Sequence, residues 1–208
     1  MATPITHILL ADKVFNKHFS DKDKGSFYRG TVFPDIRYLG EIKRNETHFK
    51  DVSLFEVKKE SSFFAGFKFH SLVDKIREKF IREQNLYSLF PSLKHLKVTV
   101  KLIEDKLLYS EIKDWNVIRN NFNCFSEEEF SFGISRVGIK KWHDLLKSYF
   151  SQQPKKETMI KFLSELEMPD GMLAEMEPIL KRLDGDPRIT KTMLRFHKEF
   201  EKLLEEEN

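Results

Sequence analysis

The 208-residue chain carries 36 lysines and arginines against 33 aspartates and glutamates, a net charge of +3. That balance argues against a dedicated nucleic-acid surface, whose affinity would rest on clustered positive charge. A single cysteine, Cys124, excludes an internal disulfide framework and a thiolate metal cluster, so any metal here would sit on histidine and carboxylate.

Residues 3–19 read as the first helix, with Thr3 as N-cap, Pro4 at the first helical position and an apolar stripe of Leu10, Ala11, Val14, Phe15 and Phe19. His7 lies one turn before Leu10 and belongs to that stripe, either as a satisfied core histidine or as a ligand. His18 stands near the polar stretch 20–25 and is the weaker candidate. Residues 26–32 make a short helical turn or extended piece ending at Phe33-Pro34-Asp35, and proline pushes Phe33 out of helical geometry. Asp35 then follows a stiff corner, where it either caps the next turn or is held still for chemistry. Residues 40–48 are polar and loop-like, and place His48 between Thr47 and Phe49.

Residues 60–84 form the central helix. Phe63, Phe64, Phe67, His70, Ser71 and Asp74 trace one face, and Gly66 one turn before His70 leaves room for another backbone or an ion. An imidazole and a carboxylate four residues apart on an apolar face are costly to bury unpaired. They pair with each other, or together bind a metal. Beyond Asp74 the helix turns charged and solvated. Residues 85–93 are a connector, and 93–110 a helix with a stripe of Leu96, Val100, Ile103, Leu107 and Leu108, interrupted by Glu104 and Asp105, for which a surface position is favoured over one of them facing inward near the site.

Residues 111–122 and 134–150 supply two further helical segments containing Trp115 and Trp142. Between them Ser126 to Glu129 starts a short helix, and His143 is a pocket candidate. Cys124, with no histidine beside it, reads as a buried or half-buried thiol. From Ser151 the texture changes to a hinge and short amphipathic helices broken at 169–171 and 184–187. The run 201–208 is expected to be a solvated, fraying end. With 20 phenylalanines for a core and no alternating β pattern, the chain is expected to be an all-α multi-helix bundle. It divides into a helical metal-binding domain, 1–150, and a C-terminal helical extension, 151–208, packed on it. No apolar run approaches the roughly 20 residues that span a bilayer. The start lacks a basic, then apolar leader, so the expected address is the cytoplasm.

His7, Asp35, His48, His70 and Asp74 fall within 68 residues. Three imidazoles and two carboxylates are enough for two divalent ions if one carboxylate bridges. Such a pair clamps a phosphate ester and activates a water. The order Thr6-His7, Gly30 with Pro34-Asp35, Thr47-His48-Phe49 and Gly66-x-x-x-His70-x-x-x-Asp74 resembles the zinc-dependent phospholipase C family, which is all-helical and related in fold to secreted zinc nucleases. The resemblance covers roughly residues 1–110. It implies that His48, His70, Asp35 and Asp74 hold one zinc, or another divalent ion. Asp74 bridges to a second, shared with His7 and the amino-terminal region, and Asp35 is the general base in hydrolysis of a phosphodiester such as a phospholipid head group. The family's third zinc is not matched: Phe80 and Val100 stand where its two histidines would fall if Glu104 were its glutamate. The alternative is a non-catalytic helical protein in which a structural metal, or the His–Asp cluster alone, holds the fold. A third reading, an interaction scaffold built on the charged C-terminal helices, leaves the N-terminal cluster unexplained.

Overall fold

The computed structural model describes residues 3–40, 42–169 and 171–207, and every regular element among them is a helix. Thr3 in extended geometry and Pro4 start α1 (Pro4–His18). Asp23 starts α2 (Lys24–Val32) by accepting the Ser26 N–H at 2.7 Å. The chain does not leave helical geometry at Phe33. Its φ of −61° and ψ of −37° lead into a 3₁₀ turn, Phe33–Leu39, closed by Gly40 at φ +73°. Pro34 sits in the first turn, where its missing N–H needs no partner. The Phe33 ring is held in the core against Phe63 and Phe67, and this packing overrides the pre-proline preference. The polar stretch before His48 is also not wholly a loop, because it contains α3 (Arg44–Thr47), whose Glu46 carboxylate accepts the Lys43 N–H. Ser53 caps α4 (Leu54–Lys59).

The central helix is α5 (Ser62–Glu83), which packs against α1, α2 and α4. Its approach to α2 is unusually close, and two glycines permit it. A Cβ on Gly66 would stand 2.0 Å from the Phe27 carbonyl oxygen, and one on Gly30 would stand 2.0 Å from that of Phe63. Of the two uses foreseen for Gly66, the approach of another backbone is the one realised. Around this contact Phe15, Phe19, Phe27, Phe63, Phe67 and Phe69 are buried.

After a connector come α6 (Leu96–Leu108), α7 (Trp115–Asn120), α8 (Glu127–Phe130) and α9 (Arg136–Tyr149). The surface placement expected for Glu104 and Asp105 is wrong, because both are fully buried. Glu104 accepts from Arg77 Nε at 2.7 Å, and Asp105 accepts from Thr6 N and Oγ1, each at 2.8 Å. Their partners come from α5 and α1, so the stripe of α6 alone gives no sign of them. His143 is buried against Glu129 at 2.6 Å, and Cys124 is exposed rather than buried.

The C-terminal part folds as α10 (Lys156–Ser164), α11 (Met172–Leu183) and α12 (Pro187–Glu205). α12 presents Ile189, Met193, Phe196, Phe200 and Leu204 to α1, α5 and α6. Its end is not a free solvated run: Leu204 is buried, Glu207 pairs with Lys75 at 2.6 Å, and the Glu207 carbonyl accepts the Leu54 N–H at 3.0 Å. No helix is long and apolar enough to cross a membrane among the described residues.

Candidate metal centre

The close α2–α5 contact sets the first element of the site. It brings the Thr31 carbonyl to 2.9 Å from His70 Nδ1. A carbonyl only accepts, so Nδ1 carries the proton and Nε2 is left with a lone pair. His48 is fixed in the same way from α3. Thr47 Oγ1 donates to the Arg44 carbonyl at 3.2 Å and stands 2.8 Å from His48 Nδ1, whose proton it accepts. The two Nε2 atoms then face each other at 3.2 Å. Burial lowers the pKa of His70 to about 4 and that of His48 to about 2, so both rings are neutral at pH 7.

Two carboxylates close on the same point. Asp74 Oδ2 lies 3.7 Å from His70 Nε2 and 3.8 Å from His48 Nε2, and Asp35 Oδ1 lies 3.9 Å from His70 Nε2. On the other side of Asp74, Oδ1 is 3.5 Å from His7 Nε2. The His7 ring stacks on His70 at 3.9 Å between centroids and is fully buried. Among the described residues neither His7 nitrogen has a well-formed hydrogen bond, and neither does Asp35 Oδ1. Burial lowers His7 to about 4 and raises the Asp35 carboxyl above its usual range. Burial alone would raise the Asp74 carboxyl too, but its surroundings outweigh burial and hold it well below the usual carboxylate range.

All five residues singled out in the sequence therefore meet, although they come from α1, the 3₁₀ turn, the end of α3 and α5. His7, His70 and Asp74 form one compact trio, and Asp35, His48 and His70 another. The amino-terminal region, offered by the resemblance as a further ligand, lies outside the described residues at Met1 and Ala2. The two Nε2 lone pairs and the two carboxylates offer a divalent cation a set of nitrogen and oxygen donors. The spacing suits zinc. Bonds of roughly 2.05 Å put tetrahedral donors about 3.4 Å apart, between the 3.2 Å separating the two Nε2 atoms and the 3.7–3.9 Å to the carboxylates. One imidazole nitrogen serves one ion. With His70 Nε2 committed to the side of Asp35, His48 and Asp74 Oδ2, the second position is left with His7 and Asp74 Oδ1.

A third trio, His18 with Glu201 and Glu205, lies near the surface. Lys17 already stands 2.6 Å from each of its carboxylates, so those charges have their cation. Glu104, the one glutamate considered for a further metal, is held by Arg77 at 2.5 Å with both side chains fully buried.

Two cations near the centre escaped the sequence reading. Arg37 Nε lies 3.9 Å from Asp35 Oδ1, and its guanidinium lies over the Tyr38 ring at 3.8 Å. Lys101 borders both openings of the site. One is a groove of about 430 Å³ over His48, Ser71 and Asp74. The other is a cavity of about 40 Å³ beside Asp35, lined by Tyr38, Trp142, Phe162 and Leu166. The only signal for Lys101 was a charge on a helix whose other positions from Thr99 to Asp105 are all buried.

The chain matches no family model, no curated protein and no solved structure.

Proposed function

We infer that the cluster binds two divalent cations, zinc being the best fit, and that the chain hydrolyses phosphodiesters, the activity implied by its resemblance to the zinc-dependent phospholipase C family. The observation that carries this reading is the convergence of two imidazole lone pairs and two carboxylates on one buried point that opens to a groove. His48, His70, Asp35 and Asp74 Oδ2 would hold one ion, and His7 with Asp74 Oδ1 the other. Ions bound there would supply a water that ionises near neutral pH and positive charge for the phosphoryl oxygens.

The chain's own groups divide the remaining work. Thr31 and Thr47 fix the His70 and His48 tautomers so that both Nε2 atoms point inward. Asp35 would accept the proton of the attacking water, and burial raises its affinity for that proton. The groove admits substrate and solvent on the side of His48 and Asp74. A phospholipid head group is one substrate of this class.

Deep burial of the ligands favours a second reading, a closed structural metal. A panel of chromogenic phosphodiesters with the zinc-loaded protein separates the two. Catalysis predicts turnover that Asp35→Asn reduces at least about a hundredfold, the usual scale for a positioned base, with melting little changed. A structural site predicts bound metal, no turnover, and a large drop in melting temperature in the variant.

A further inference from the structure

The groove over His48 and Asp74 has a pronounced charge character in a chain whose net charge is only +3. Arg44, Lys50, Lys75, Lys97 and Lys101 all line it. Two of these are already paired, Lys75 with Glu207 at 2.6 Å and Lys97 with Glu78 at 3.1 Å. Arg44, Lys50 and Lys101 have no carboxylate within ion-pair distance among the described residues. Arg44 and Lys50 are exposed. Lys101 is different: it is only 8% exposed, and it lines both the groove with Asp74 and the cavity with Asp35. Burial makes an ammonium's charge costly, and a phosphate anion beside it would lower that cost.

The lining also limits what the groove takes. Phe49 is its only Phe, Tyr or Trp ring, so there is no aromatic cage for a quaternary ammonium group. The apolar cavity beside Asp35, at about 40 Å³, has room for a water molecule or two and not for an acyl chain. Recognition thus falls to the cations.

We propose that this groove selects phosphodiesters bearing a further phosphate beyond the scissile one, with Lys101 against the scissile phosphate and Arg44 and Lys50 holding the outer one. The proposal rests on the reading of the cluster as a hydrolytic centre. The same chemistry arises in a nucleotide and in a phosphorylated lipid head group.

The test uses the full zinc-loaded chain in two arms. One compares a dinucleotide with and without a terminal phosphate. The other compares glycerophosphoinositol with and without a ring phosphate. The extra phosphate is expected to raise kcat/KM roughly tenfold or more in at least one arm, and the responding arm names the source. The exposed double variant Arg44→Gln/Lys50→Gln is expected to erase that ratio. A ratio of one or below in both arms, with turnover present, overturns the groove proposal and leaves the hydrolase reading standing. If no diester is turned over, the hydrolase reading fails, and calorimetric binding of the same four compounds decides the groove. Tighter binding of the phosphorylated member, lost in the double variant, supports it, and equal affinities overturn it.

Discussion

Two buried histidine sites in this molecule use the same side chains for opposite ends. His143 donates from Nε2 to Glu129 at 2.6 Å, and its ring lies against Phe122 and Phe125. Glu129 in turn accepts the Ser126 N–H at 2.8 Å. Elsewhere in the core, Arg77 and Glu104 neutralise each other with both side chains fully buried. Each of these groups has an oppositely suited partner within the chain, although His143 Nδ1, Arg77 Nη1 and Glu104 Oε1 make no hydrogen bond among the described residues. At His48 and His70 the proton is spent outward, on Thr47 and Thr31, and the inward nitrogens meet each other and two carboxylates. The two sites differ in where the ring proton goes: at His143 it is directed at the carboxylate, and at His48 and His70 it is directed away from the carboxylates, which leaves two ring nitrogens facing them.

That contrast breaks most visibly at Arg77. Arg77→Ala strands the Glu104 charge in the core and should cost about 3–5 kcal/mol, with or without zinc, as read by denaturant unfolding. Acid acts on the other site. Folded His7 takes a proton near pH 4 and unfolded His7 near 6.5, so the unfolded chain binds more protons in that window. The contribution of His7 is complete above 6.5 and is lost as pH falls toward 4, about 3 kcal/mol in all. In metal-free protein the stability–pH curve of His7→Phe should be flatter than wild type by that amount between those limits. If the two curves run parallel, His7 is not held neutral by the fold.

Zinc sharpens the comparison further. At a hundred times its dissociation constant it should stabilise wild type by about 2.7 kcal/mol. His48→Ala should lose most of that gain, while His143→Gln should keep it, each measured as a zinc-dependent shift in melting. An equal loss in both variants would erase the distinction between the two histidine sites. The smallest effect is expected at exposed Cys124, where Cys124→Ser should stay within about 0.5 kcal/mol of wild type.

Much of this was legible in the sequence because it is local. The four-residue step from His70 to Asp74 and the glycine one turn earlier specify a helix face, and that face is where the structure puts them. The Pro4 start of α1 and the breaks near residues 169 and 185 were equally plain. What sequence could not show depends on partners distant in the chain. Glu104 and Asp105 look like surface charges until Arg77 and Thr6 arrive from other helices. Phe33 keeps helical geometry before proline because its ring is gripped by α5. The 201–208 run reads as solvated until Leu204 and Glu207 dock on the core. Lys101 is missed for the same reason, since only the meeting of helices makes it a cation beside a cluster of acceptors.

The most direct measurement is the metal content of protein purified without added zinc, repeated on His70→Ala. The account predicts two divalent ions per chain in the wild type, the one held by four donors resisting dialysis longer than its neighbour, and at most one in the variant. A wild-type chain that carries no metal, and takes up none when zinc is supplied, would contradict it.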